Sequence, residues 1–259
     1  MKKKNEIRVL NPFHLIYTIW AAFWFLSVFL LFYPLIYIFC QRVEWKKYAS
    51  KLVQIWSYIF FPSIFLRVKV KYHFKPDPKK VYVFCANHFS YFDIPILVYL
   101  VKNQFSFLGK NAMAKIPLFG YMYKKLHILV DRNDKGSRVA SLSRAIRALQ
   151  SGRSIAIFPE GGIVSKQFPE MGYPLKDGAL QMAIQQQIPI IPISLMNNYR
   201  ILNSELFILR PGVVHVEFHK PIETQGKTVD DLPELREQLF HAIQDPILHF
   251  YKMPLTHEE

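Results

Sequence analysis

Apolar and polar positions divide the chain into two unlike regions. From Phe13 to Phe39 runs FHLIYTIWAAFWFLSVFLLFYPLIYIF, 27 residues without Asp, Glu, Lys or Arg. A helix needs about 20 such residues to cross a hydrocarbon core of about 30 Å. The run exceeds a signal-peptide core of about 7–15 residues, and no Ala-x-Ala site follows it. Trp20, Trp24, Tyr33 and Tyr37 supply rings suited to headgroup depth. Lys2, Lys3, Lys4 and Arg8 precede the run, and Arg42, Lys46, Lys47 and Lys51 follow it. Charge on both flanks leaves the orientation open. With Pro34 inside it, the segment suits a span or a hairpin dipping into one leaflet.

A second helix is predicted over residues 45–61. Trp45, Tyr48, Leu52, Ile55, Trp56 and Ile59 recur at helical spacing with Lys46, Lys47, Lys51 and Gln54 between them. This pattern fits an interfacial helix on anionic lipid or an ordinary helix packed on a domain. Pro62 is expected to end it. Residues 1–66 thus read as a membrane-anchoring helical region and residues 67–259 as a globular domain.

Beyond Arg67, short β-rich runs alternate with helical ones. Val68–Phe74, Val81–Ala86, Ile155–Phe158, Ile190–Leu195 and Val213–Phe218 are the predicted strands. Val139, Leu142, Ile146 and Leu149 form one helical stripe that Gly152 is placed to stop. Asp177–Gln187 is another helix. A capping box at Asp231-Leu-Pro-Glu234 opens a third, with Leu235, Leu239 and Ile243 on its stripe. The pattern predicts an α/β fold, a mixed sheet covered by helices, behind an N-terminal membrane-embedded helical segment.

Composition narrows the partners. Lys and Arg number 33 against 19 Asp and Glu, a net charge of +14, which leaves nucleic acid, anionic membrane or acidic ligands open. Nucleic-acid modules interleave basic residues with stacking aromatics. Here the aromatics gather in the N-terminal segment, so no nucleic-acid partner is expected and a non-catalytic binding module is a remote alternative. The two cysteines, Cys40 and Cys85, sit in apolar runs and are expected as reduced thiols. Neither the cysteines nor His14, His73, His127, His215 and His219 show metal-ligand spacing, so no metal and no cofactor is expected.

Asn87-His88-Phe89-Ser90-Tyr91-Phe92-Asp93 follows directly on the Val81–Ala86 strand, where open α/β sheets place ligands. Five positions along one helix turn two side chains about 140° apart. His88 and Asp93 can meet only if His88 lies in the loop before a helix and Asp93 inside it. His88 would then be a general base held in its tautomer by Asp93. With no Gly-x-Ser-x-Gly elbow present, the base would have to activate a hydroxyl or water from outside the protein.

Three further blocks follow in order: Gly109-Lys-Asn-Ala-Met-Ala-Lys-Ile-Pro-Leu-Phe-Gly120, Val130-Asp-Arg132 and Phe158-Pro-Glu-Gly-Gly162. Ile188-Pro-Ile-Ile-Pro192 completes the set, and Leu175-Lys-Asp-Gly178 adds a Lys-x-Gly. In this order the chain resembles the 1-acylglycerol-3-phosphate acyltransferase family of glycerolipid acyltransferases. The resemblance implies acyl transfer from acyl-CoA or acyl carrier protein to the hydroxyl of a lysophospholipid, a membrane lipid acceptor. It implies His88 as base, Asp93 as its orienting group and Lys110 and Arg132 as phosphate contacts. Backbone N–H groups near Gly161 and Gly162 would meet the oxyanion. Glu160 would bond a glycerol hydroxyl or else shape the loop through a salt bridge. Many members continue Glu-Gly with Thr-Arg, where this chain has Gly162 and Ile163. The phosphate would then fall to Lys110, Arg132, Lys166 or Lys176, or the acceptor would be a lyso-amino-acid lipid or another lipid without phosphate. Such an enzyme is expected at the membrane, on its cytoplasmic face. The oligomeric state is left open by the sequence.

Overall fold

The computed structural model describes residues 11–165 and 167–252. Two helices open it: α1, Pro12–Phe39, and α2, Lys46–Ser63. The alternation then gives β1 (Arg67–Tyr72), β2 (Val83–Ala86), α3 (Asp93–Leu100), β3 (Phe105–Lys110), α4 (Phe119–Leu126) and β4 (Ile128–Val130). Next come α5 (Lys135–Gln150), β5 (Ser154–Ile157), α6 (Gly178–Gln186) and β6 (Ile190–Leu195). The last elements are α7 (Asn198–Ile201), β7 (Leu202–Asn203), β8 (Ile208–Leu209), β9 (Val213–Phe218) and α8 (Leu232–Lys252).

Seven strands form one mixed sheet in the order β1-β9-β6-β2-β5-β3-β4. β6, β2, β5, β3 and β4 run parallel, while β9 meets β6 antiparallel and carries β1 parallel on its far side. Strand periodicity sorts the core into two layers. Phe84 and Ala86 of β2 face a cluster shared with α1, α2, α3 and α4, whereas Val83 and Cys85 face one shared with α5, α6 and α8. Both faces of the central strands are therefore buried, which explains their unbroken apolar runs.

α1 is capped by Asn11, whose side chain accepts from the Phe13 N–H, and it stays helical through Pro34. It is long and apolar enough to cross a membrane, with a mean hydropathy of 2.1 and only 22% of its most apolar window buried. Its inner face is nonetheless part of the protein core: Tyr17, Ala21, Val28, Phe29 and Ile36 are buried. Tyr17 Oη donates to Ile64 O at 2.7 Å and Trp56 Nε1 of α2 to Phe25 O at 3.2 Å.

The structure corrects three local expectations. α2 continues one residue past Pro62 to Ser63, since so near the end the proline forfeits a single backbone bond, that to the Tyr58 carbonyl, and Ser63 Oγ donates to Ile59 O. The helix buries Ala49, Gln54, Trp56, Ser57, Phe60 and Phe61 and leaves Trp45, Tyr48 and Ile59 of the aromatic stripe exposed, as either expected packing allows. α5 buries Leu149 together with the small Ser141 and Ala145, which permit close approach to the sheet, and leaves Val139 exposed. The capping box before α8 is Thr228 with Asp231, three positions earlier than predicted.

Candidate active site

Asn87 follows β2 directly, and its amide is bonded on both sides to β6: Nδ2 donates to Leu195 O at 3.0 Å and Oδ1 accepts from Leu195 N at 2.7 Å. This clamp fixes where the chain leaves the sheet. His88 is the next residue, in the loop, and Asp93 is the first residue of α3. The two side chains meet, His88 Nδ1 lying 2.9 Å from Asp93 Oδ2. The same oxygen accepts the Phe89 N–H at 2.8 Å and the Ser90 N–H at 2.9 Å, so it acts as an acceptor and His88 Nδ1 is the donor. The lone pair of the imidazole is therefore on Nε2. Asp93 Oδ1 accepts from Asn198 Nδ2 of α7 at 2.9 Å. Ser90 serves the backbone, its Oγ donating to Leu202 O at 2.8 Å and accepting from Phe92 N at 3.1 Å. The His88 ring lies flat on Phe158, with centroids 3.9 Å apart and planes 9° apart.

Glu160 is buried beside this pair. Its Oε1 accepts the His88 N–H at 2.6 Å and its Oε2 the Gly172 N–H at 2.7 Å. Burial raises its pKa to about 7, against the lowering effect of the two amide bonds, and the Asp93 charge raises it slightly further. The partners of Glu160 are thus backbone amides rather than a cation, and they tie the His88 loop to the 158–172 segment. The Gly161 N–H donates back to Phe158 O at 3.0 Å, and Gly161 adopts φ +83°, where a Cβ is disfavoured.

Two cations flank the Glu160-Gly161-Gly162 turn. An Arg132 Nη1 donates to Gly161 O, and a Cβ on Gly162 would come within 3.1 Å of that nitrogen. A side chain at 162 would crowd the guanidinium, so the glycine and the arginine fit each other. Partial burial lowers the Arg132 pKa, with Tyr123 acting against this. Lys176 lies on the other side, its Cγ at 3.4 Å from a Cβ built on Gly161. Lys110 is exposed at the end of β3, paired in register with Val130 two residues before Arg132. Lys166 lies outside the described residues.

A cavity of about 1030 Å³ adjoins the turn. Phe158, Glu160, Gly161, Arg132 and Lys176 line it, and Arg138 adds a third cation. Its apolar wall includes Leu142, Ile157, Val164 and Met171. It is thus charged at the turn and greasy elsewhere. Cys85 and Cys40 are free and buried, and burial pushes the Cys85 thiol up, which suits a small core hydrophobe and not a nucleophile.

Spacing alone hid one histidine cluster. Register brings His73, after β1, beside His219, after β9, and ligand-type atoms of His73, Glu217 and His219 lie within 4.8 Å of one another. Each is already engaged. Glu217 takes His73 Nε2 at 2.8 Å and Lys71 Nζ at 3.5 Å, and His219 Nε2 contacts Ser194 Oγ at 2.8 Å. Lys71 already supplies a positive charge there.

The fold falls in a known class. The structure of the 1-acyl-sn-glycerophosphate (LPA) acyltransferase PlsC from Thermotoga maritima superposes with a TM-score of 0.77, covering 94% of this chain and 98% of that one at 21% identity. The profile of the acyltransferase family matches residues 67–196, and the chain belongs to that family. A 1-acyl-sn-glycerol-3-phosphate acyltransferase of Chlamydomonas reinhardtii is 30% identical over 175 residues, 67% of this chain and 51% of the relative. The alpha form from Mus musculus is 28% identical over 225 residues, 85% of this chain and 76% of the relative. The chain spans about half the length of the algal relative.

Proposed function

We propose that this protein transfers a fatty acyl group from an acyl thioester, acyl-CoA or acyl carrier protein, to the free hydroxyl of 1-acylglycerol-3-phosphate, giving phosphatidate. His88 Nε2 takes the hydroxyl proton as the alcohol oxygen attacks the thioester carbonyl. The C–O bond forms and the carbonyl electrons move to oxygen, where we assign the Gly162 N–H as donor, the Gly161 N–H being bonded to Phe158 O. Collapse breaks the C–S bond, and the imidazolium returns its proton to the departing thiolate. Asp93 holds the tautomer and offsets the imidazolium charge. Glu160 keeps the His88 loop in place. The meeting of His88 and Asp93 at 2.9 Å, beside a cavity both charged and apolar, is the observation on which this rests.

Gly162 and Ile163 favour a second reading, an acceptor without phosphate such as a lyso-amino-acid lipid. Arg132 supports the phosphate reading, because its guanidinium reaches the turn from β4 instead of from within the motif. A planar fork suits phosphate in a way an ammonium does not. We expect R132K to raise the acceptor KM about tenfold or more while kcat changes little. α1 would bring the site to the lipid, and the donor would reach it from the cytoplasm.

Purified full-length protein assayed with both donors against lysophosphatidate and lyso-amino lipids tests this. Phosphatidate formation is expected. Turnover of the amino lipids alone would shift the choice to the second reading, and acyl transfer to neither would sink both.

A further inference from the structure

Two turns that the proposed reaction does not use present phenylalanines outward. Phe65, just past α2, is 77% exposed with φ 55°, and Phe207, between β7 and β8, is 60% exposed with φ 52°. The left-handed region is disfavoured for a bulky residue. Neither phenyl recovers that cost by burial.

Both turns are fastened to the same stretch of α1. Tyr17 Oη donates to Ile64 O at 2.7 Å and Trp20 Nε1 to Ser63 O at 3.1 Å, which holds the Phe65 turn. Thr18 Oγ1 accepts from Leu209 N at 2.9 Å, which holds the β7–β8 hairpin. Asn203 Oδ1 accepts from the Glu205 and Leu206 amides and shapes the hairpin tip. The hairpin also reaches the His88 loop. Ser90 Oγ donates to Leu202 O, Tyr91 N donates to Ser204 Oγ at 3.0 Å, and the Tyr91 ring stacks on Phe207 with centroids 5.6 Å apart. Exposed Phe13, Ile16, Ile19 and Phe23 of α1 continue the apolar surface.

We propose that Phe65, Leu206 and Phe207 form a second membrane contact, a wedge seated in the bilayer interface beside α1 that holds the His88 loop against the lipid. The occupant is the bilayer, because the patch continues the lipid-type face of α1. That the wedge serves acceptor entry rests on the function proposed above.

The test uses the full-length protein in phosphatidylcholine–phosphatidylglycerol vesicles. Cys40 and Cys85 are buried, so Phe207→Cys offers a single accessible thiol for an environment-sensitive fluorophore. Gln238→Cys, exposed on α8 across the sheet, is the control. We expect blue-shifted emission at position 207, quenched by lipids spin-labelled near the glycerol backbone, and water-like emission at 238. Water-like emission at both overturns the wedge. A blue shift that grows with protein concentration in detergent and is not quenched by labelled lipid assigns the patch to a second copy and also overturns it. Separately, L206S/F207S is expected to slow transfer to acceptor embedded in vesicles about tenfold or more. Transfer to a short-chain acceptor dispersed as monomers should stay within about twofold, as for an ordinary surface substitution. Equal losses on both would reject the wedge and leave the proposed reaction standing. Absence of wild-type transfer to either acceptor would reject the reaction, while the fluorescence result would still decide the contact.

Discussion

At the scale of residues, four donors converge on one carboxylate: the His88 ring, two amides and the Asn198 side chain. Under the proposed reaction H88A and D93N each lower kcat by about 10²–10⁴-fold. Steady-state assays at saturating substrate check this, with circular dichroism confirming that each variant is folded. Glu160 carries a different expectation. Its pKa is about 7 in the folded chain against an ordinary 4.5. Between those values the folded state binds more protons than the unfolded state. Its contribution to stability is therefore full below pH 4.5, falls as pH rises to about 7, and is level above that. Denaturant midpoints across this range should show that slope in the wild type and not in E160Q. The His88–Asp93 meeting was legible because a strand end and a helix start are local features. The amide ties of Glu160 to His88 and of Asn198 to Asp93 span 72 and 105 positions, and no local pattern records them.

At the scale of elements, burial decided what could be read. β2, β5, β6 and β9 announce themselves because their apolar positions are continuous or alternate cleanly. β3 carries Ser106 and Gly109, β4 has three residues, and β7 and β8 have two each, too short or too mixed for a periodic signal. α4 was missed too, and its placement depends on one glycine. A Cβ on Gly120 would lie 2.3 Å from the Ala114 carbonyl oxygen of the short 3₁₀ turn that precedes α4. That backbone cannot yield cheaply. G120A is expected to cost about 1–3 kcal/mol, or roughly 2–12 °C in melting temperature. Thermal unfolding followed by circular dichroism checks it.

For the molecule as a whole, α1 belongs to the same buried cluster as the sheet. Val28, Phe29 and Ile36 of α1 join Trp56, Phe60 and Phe61 of α2 in the layer that also holds Phe84, Ile193 and Val216. Removing residues 1–42 should therefore expose core surface instead of releasing a soluble enzyme. The truncated chain is expected to melt well below the full chain in the same detergent, or to aggregate on concentration. Light scattering and melting curves distinguish this from a clean release.

The flat contact between Phe158 and His88 has a further consequence. Clasped by a carboxylate at one edge and a phenyl on one face, the imidazole cannot pivot between two callers. In the proposed reaction, the nitrogen that receives hydrogen from the incoming alcohol is therefore also the one that surrenders it to sulfur. Under the proposed reaction the acyl group also has no resting place on the protein, since Cys85 is sunk in the core and Ser90 Oγ is turned to the Leu202 carbonyl, so both substrates must be resident together and kinetics with intersecting lines are expected.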